Sequence, residues 1–182
     1  STFNPAFDRA IEIFQSYRGN SEAADAPRAI PGLPPERYVR PNLDLGLQFG
    51  LVAGSDHQTS FGAFTGAWIT DPSRAGVFDA LYARRTFAST VRASLWTEWA
   101  GVPLGGSAPA PAGPATFHIE VDGFGRLLAR LELFSDGGLV ATQLGGHLFQ
   151  ARLDEIGVAQ HFGRHAVAER EIAERRRHHS RV

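Results

Sequence analysis

Two short segments carry residues whose types and spacing suit metal chemistry. Asp56 and His57 follow an apolar run at residues 50–53, and Glu12 lies inside a second apolar run at residues 10–14. In α/β folds, side chains that follow buried strands gather at one edge of the sheet, where ligands bind. A carboxylate and an imidazole there can bind a divalent metal, and Glu12 can supply a bridging carboxylate. An Asp-His pair at a strand end is more often a turn or capping feature, so this spacing by itself leaves both interpretations open.

Polar residues that can contact a substrate follow the Glu12 run directly. Gln15, Tyr17 and Arg18 come within six residues of Glu12 and can line a pocket. The Arg18 guanidinium matches the geometry of an anionic group and is a candidate clamp for it. The alternative is that Arg18 forms an ion pair with Glu22 or with another nearby acid.

The order of elements around these residues predicts an α/β domain. Residues 15–41 hold five prolines and no periodicity, which indicates a long irregular connection of the kind that is often functional. Asp71 and Pro72 are typical of a helix start and predict a helix over residues 73–85. Strand, loop, strand and helix therefore follow one another along residues 10–90.

One side of that predicted helix is apolar. Val77, Phe78, Leu81 and Tyr82 recur at i, i+1, i+4 and i+5, the spacing of a stripe that faces a core. We therefore expect these four side chains to be buried.

The C-terminal part of the chain predicts antiparallel strands. Apolar and polar residues alternate in residues 117–121 and 127–133, which indicates half-buried strands. A turn at residues 136–138 leads into a return strand at residues 139–143. Residues 165–178 carry Glu-to-Arg and Glu-to-His pairs at i,i+4 and predict a polar C-terminal helix.

Composition excludes several classes of function. The 182 residues carry a net charge of -1, which gives no electrostatic reason to expect nucleic acid or an anionic membrane as partner. The chain has no cysteine, which excludes thiolate zinc sites, iron–sulfur clusters and cysteine nucleophiles. All 18 basic residues are arginine, so Schiff-base chemistry and a phosphate-loop lysine are excluded as well.

Three ordered motifs resemble the closing segment of a bacterial family related to the PHP (polymerase and histidinol phosphatase) superfamily. They are the segment at residues 11–22, the Ser-Asp-His sequence at residues 55–57 and the Arg-Arg-Thr-Phe-Ala sequence at residues 84–88. The resemblance covers about residues 7–95. The downstream strands are similar, more loosely, to the family's C-terminal β-sandwich.

The resemblance implies a distorted β/α barrel with a multinuclear site for Zn, Mn or Fe at its mouth. Glu12 then corresponds to a bridging carboxylate, Asp56 to a late metal ligand and His57 to a ligand or general acid/base. Glu22 falls where several PHP enzymes place a histidine ligand. Such sites polarise a phosphoryl oxygen and lower the pKa of bound water, which implies hydrolysis of a phosphoester.

The chain lacks the His-x-His motif that PHP proteins bring from their first strand, and His57 is the only histidine before residue 118. We therefore expect a C-terminal portion of a PHP-like hydrolase that is inactive alone. Its missing ligands would come from the N-terminal half of the same protein or from another chain, and its substrate would be a small phosphorylated molecule. The alternative is a non-catalytic binding or structural module with a degenerate site.

The predicted organisation has three parts. Residues 1–100 form the C-terminal portion of a PHP-like β/α barrel, and residues 101–115 form a linker rich in Gly, Ala and Pro. Residues 116–182 form a small antiparallel β-sandwich-like module with a C-terminal helix.

Overall fold

Twelve strands and two α-helices are present in the part of the chain that the computed structural model describes. These residues are 3–57, 62–109, 115–126, 129–135, 138–144, 148–153 and 165–169. The elements in chain order are β1 (Ala10–Gln15), β2 (Gly19–Asn20), a 3-10 turn (Pro35–Arg37), α1 (Val39–Asp44), β3 (Gly50–Gly54), β4 (Phe64–Ala67), α2 (Arg74–Tyr82), β5 (Thr86–Ser89), β6 (Ser94–Trp99), β7 (Val102–Pro103), β8 (Ala115–Asp122), β9 (Arg130–Ser135), β10 (Gly138–Leu144), β11 (Leu148–Leu153) and β12 (His165–Glu169). Neither helix in these ranges is long and apolar enough to cross a bilayer.

The first sheet has the strand order β2-β1-β3, and its central pair is parallel. The pairing of β1 with β3 runs from Ala10 opposite Gly50 to Gln15 opposite Gly54, so both strands end at the same edge. The two apolar runs form strands as predicted, and Ile13 and Phe14 are buried in the core of this half together with Val39 and Leu43 of α1.

A second sheet, of two strands, packs beside β3. Strands β4 and β5 pair antiparallel, with α2 between them in the chain. The Thr65 hydroxyl accepts a hydrogen bond from the Ala53 N–H at 2.9 Å and donates one to the Ala53 carbonyl at 2.8 Å. A side chain thus takes the place of a neighbouring strand at this edge of β3.

Two antiparallel sheets form the C-terminal half. Their strand orders are β11-β8-β6-β7 and β10-β9-β12. Alternate side chains of both sheets meet in one core, as in a sandwich. The buried members are Phe117, Ile119, Val121, Leu131 and Leu133. The strands predicted at residues 117–121 and 139–143 are confirmed, and β9 covers residues 130–133 of the third and continues to residue 135. Residues 127–128 and 136–137 lie outside the described ranges.

The prediction of a β/α barrel is wrong. Only β1 and β3 pair in parallel among the described strands, and every other strand pair is antiparallel. A β/α barrel needs successive parallel strands with a helix crossover between each pair. Here the neighbour of β1 is the two-residue antiparallel strand β2, and β3 is flanked by the Thr65 side chain, so the parallel arrangement does not continue.

The predicted C-terminal helix is also wrong over the residues that the structure describes. His165–Glu169 form β12, which pairs antiparallel with β9. Without β12, one edge of β9 would present unpaired backbone N–H and C=O groups. A strand pairs with these groups, whereas a polar helix with few apolar residues could not. The rest of the predicted helix, from residue 170 onward, lies outside the described ranges.

The apolar stripe of α2 faces solvent, contrary to the sequence prediction. Phe78 is 64% exposed and Val77 44%, while the buried residues of the helix are Gly76 and Ala80. Gly76 lies so close to the Asp71 carbonyl that a Cβ would clash with it, so the helix packs through its smallest residues. Asp71 is also not the cap, because the Ser73 side chain accepts the hydrogen bond from the Gly76 N–H.

The sandwich extends into the predicted first domain. Strand β6 pairs with β8 from Ser94 opposite Asp122 to Trp99 opposite Phe117. Strand β7 lies inside the predicted linker and pairs with β6, whereas residues 110–114 of that linker lie outside the described ranges. The division at residues 1–100, 101–115 and 116–182 stays a prediction.

A buried ion pair holds the loop after β2 against α1. Arg40 donates from Nε and Nη2 to Glu22 Oε1 at 2.9 and 2.6 Å. The two side chains are 14% and 3% exposed. The Arg40 guanidinium also lies 3.6 Å from the centre of the Phe134 ring, which belongs to β9. One arginine therefore contacts both the first sheet's loop and the sandwich.

We expect Glu22→Gln to lower the free energy of unfolding by about 3 kcal/mol, because it leaves a largely buried guanidinium with only the exposed Asp25 carboxylate as a counter-charge. Asp25→Asn is the matched control. Asp25 lies 3.5 Å from the same arginine but is 81% exposed, so its loss should cost less than about 1 kcal/mol. Urea denaturation of both variants measures the difference, and equal losses would contradict the assignment.

Candidate functional site

Glu12 and Asp56 lie at the shared carboxyl edge of β1 and β3. A Cβ added to Gly54 would lie 2.7 Å from Glu12 Oε1, which places the Glu12 carboxylate beside Gly54, two residues before Asp56. Gly54 leaves space there for the Glu12 carboxylate. Glu12 is exposed, unlike its neighbours Ile13 and Phe14, so its charge needs no buried counter-ion.

A tight turn after β3 presents Asp56 and His57 together. Asp56 has a φ of 59°, in the left-handed region that aspartate tolerates better than most residues. The Asp56 Oδ1 atom accepts a hydrogen bond from the His57 N–H at 2.8 Å and lies 2.9 Å from His57 Nδ1. With the proton on Nδ1, the carboxylate orients the imidazole and leaves Nε2 able to accept a proton. The His57 side chain is 77% exposed and open to an incoming group.

The electrostatic environment favours the ionised form of Asp56. The His57 backbone N–H lowers the pKa of this carboxyl most, and the His57 side chain lowers it further through a hydrogen bond and its charge. The Arg18 guanidinium adds a smaller effect in the same direction. Arg18 is therefore within electrostatic range of Asp56, although the two residues are 38 positions apart in the sequence.

The three predicted substrate-contact residues take different positions. Gln15 Nε2 donates to Glu12 Oε2 at 3.4 Å, and Gln15 Oε1 is buried without a hydrogen-bond partner among the described residues. Arg18 is exposed and lines a cleft together with Glu12 and Gln15. Tyr17 is 68% exposed and does not line that cleft.

That cleft, called the β1 cleft here, has a volume of about 520 Å³. Its walls include Glu12, Gln15, Arg18, Arg37, Phe3 and Phe49. The sequence did not single out Arg37, Phe3 or Phe49. Arg37 does lie in the proline-rich connection at residues 15–41, whose length and irregularity already indicated a functional loop.

The Glu22 carboxylate is held by contacts with Arg40 and Asn20. Its Oε1 binds Arg40, and its Oε2 accepts from Asn20 Nδ2 at 3.5 Å. Both carboxylate oxygens are therefore engaged inside the protein, and the side chain is 3% exposed. A metal at this position would have to displace a buried ion pair.

The residues at the shared edge can supply some of the ligands of a metal site, but the described residues do not supply a complete set. Glu12, Asp56 and Gln15 offer the hard oxygen ligands that divalent cations accept. Within the described ranges, however, no group of three or more His, Cys, Asp or Glu side chains is placed to hold one ion. The arrangement lacks the further ligands of a catalytic metal centre.

Comparisons with protein-family models, with curated proteins and with solved structures found no match to this chain. The resemblance to the PHP superfamily therefore stays a prediction from the three motifs.

The pKa of Asp56 tests the geometry of this edge. We expect His57→Ala to raise it only in part, because the backbone N–H that lowers it most remains in that variant, and Arg18→Gln to raise it less, whereas Arg74→Gln on exposed α2 should leave it unchanged. A carboxyl ¹³C NMR titration measures each value. Because the folded pKa is lowered, the stabilisation from the ionised carboxylate is complete above the ordinary aspartate pKa and is lost as the pH falls through the folded value. An Asp56 pKa that is the same in His57→Ala as in the unmodified chain would contradict the hydrogen bond between the Asp56 carboxylate and the His57 ring.

Proposed function

We propose that this chain is a portion of a metal-dependent phosphoester hydrolase and that it supplies the carboxylate part of the metal site. The observation that carries the proposal is the parallel pairing of β1 with β3, which brings Glu12 beside the turn that holds Asp56. Two carboxylates from adjacent parallel strands are a common start for a hard-cation site. The motif resemblance at residues 11–22 and 55–57 supports the same conclusion.

Each residue at the edge has a defined part in this proposal. Glu12 and Asp56 offer carboxylate oxygens to the cation. His57 Nε2 accepts or returns a proton as general acid/base, while Asp56 fixes the ring. Arg18 binds the oxygens of the anionic substrate, and Gln15 orients the Glu12 carboxylate. Tyr17 and Glu22 have no part that their contacts support.

The proposal includes a second polypeptide segment. The described residues do not complete a metal centre, and the sequence has no His-x-His. The missing histidines would come from the N-terminal half of the same protein or from another chain. Alone, the chain binds a cation weakly and does not turn over substrate.

The second candidate is a non-catalytic binding module. Two observations favour it: the lack of a three-ligand group among the described residues, and the engagement of both Glu22 oxygens. In that case the carboxylates at residues 12 and 56 bind no metal, and the cleft or the sandwich mediates recognition.

Metal binding separates the two candidates. After equilibrium dialysis of the untagged chain against Mn²⁺, we expect up to one bound ion per chain by elemental analysis. Glu12→Gln and Asp56→Asn should each weaken binding by at least about tenfold, because removal of even an outer-shell partner has an effect of that size.

Asp79→Asn is the matched control, since Asp79 is an exposed carboxylate on α2. It should leave the Mn²⁺ content unchanged. No bound Mn²⁺, or equal binding in all three variants, would reject the hydrolase proposal and favour the non-catalytic module.

A further inference from the structure

The β1 cleft has the dimensions of a site for an organic molecule. Its volume of about 520 Å³ lies within the roughly 300–1,000 Å³ typical of small-molecule pockets. A free phosphate or a metal ion alone would leave most of this space unfilled. Glu12, Gln15 and Arg18 line the cleft, and Asp56 does not.

Several residues that line the cleft are apolar. The rings of Phe3 and Phe49 meet edge to face with centroids 6.3 Å apart. Leu33 and Leu47 also line the cleft. Contact with such walls favours an apolar group over water, and aromatic rings add specific edge and face contacts.

Two neutral polar side chains of the cleft, Ser21 and Asn42, are engaged inside the protein, whereas Gln15 Oε1 has no hydrogen-bond partner among the described residues but is buried. Ser21 Oγ donates to the carbonyls of Glu12 or Ile13, both at 3.1 Å. Asn42 Nδ2 donates to the carbonyls of Glu36 and Tyr38. A ligand rich in hydroxyl groups would therefore lose hydrogen bonds to water and gain few here.

Two guanidiniums remain for an anionic group. Arg18 and Arg37 both line the cleft, both are exposed, and neither is in an ion pair within the described part of the chain. Of the acids at the cleft, Asp8 accepts a hydrogen bond from the Asn4 N–H, and Glu12 lies at the cation edge. Arginine is well suited to the oxygens of a phosphoester.

We propose that the β1 cleft binds the organic group of the ester and selects apolar, ring-bearing groups over polyhydroxylated ones. The inference rests on the proposed function, which places the anionic group at Arg18. It assigns substrate selection to Phe3, Phe49 and Leu33 and a second anion contact to Arg37.

Titrations of the full chain with phenyl phosphate and glycerol 2-phosphate, followed by amide NMR shifts, test this assignment. Both probes carry one phosphate, and only the first carries an apolar ring. We expect phenyl phosphate to bind about tenfold more tightly, the effect of burying part of one ring. Arg37→Gln should weaken the binding of both probes.

Phe3→Ala should remove most of the preference, and Leu33→Ala should reduce it. Both residues lie outside helices and strands, so the fold should tolerate the changes. Phe124→Ala is the matched control, because Phe124 is a 64% exposed ring that does not line the cleft.

Equal affinity for the two probes would overturn the inference, and so would a preference that survives both Phe3→Ala and Leu33→Ala. Failure to bind either probe would overturn it as well. The Mn²⁺ measurement is independent of all three results. A chain that binds Mn²⁺ through Glu12 and Asp56 but shows no preference keeps the proposed function and loses only the selection of apolar groups.

Discussion

The ion pair between Arg40 and Glu22 is the contact on which the candidate site depends most, although neither residue takes part in it. The Arg40 backbone N–H also donates to the Glu22 carbonyl at 2.9 Å, and the Val39 N–H donates to the Ser21 carbonyl at 2.8 Å. These bonds close the long loop between β2 and α1 at its base. The loop carries Arg37 and Leu33, so the pair fixes one wall of the β1 cleft against β1.

Glu22 is a poor metal ligand because a buried carboxylate is destabilising unless it keeps its paired cation. A carboxylate that is almost fully buried needs its cation, and Arg40 supplies it with two donors. The same guanidinium contacts the Phe134 ring, which ties the position of the loop to the sandwich. Neither Glu12 nor Asp56 is in a buried ion pair of this kind, and Asp56 uses Oδ1 to bind His57 and keeps Oδ2 for a ligand at the edge of the first sheet.

Local patterns in the sequence predicted the strands at residues 10–14, 50–53, 117–121 and 139–143, because these depend on short-range order, but they did not indicate β4, β5, β6 or β11. The runs at residues 10–14 and 50–53 became neighbouring parallel strands, and the residues after them met at one edge. Long-range packing was not predictable in the same way. The stripe at Val77 and Phe78 has the spacing of a buried face, yet the glycine and alanine on the other side allow a closer approach and decide which face packs. The partner of Glu22 lies 18 residues away, and no periodicity indicates it.

The central claim is that Glu12 and Asp56 form one cation-binding edge. A titration of the ¹⁵N-labelled chain with Mn²⁺ tests it most directly, since the ion broadens amide signals according to distance. We expect the amides of Gln15, Gly54 and Asp56 to broaden first and together. Earlier broadening around Asp25 or Glu36, or uniform loss of signal along the chain, would contradict a site at the carboxyl ends of β1 and β3.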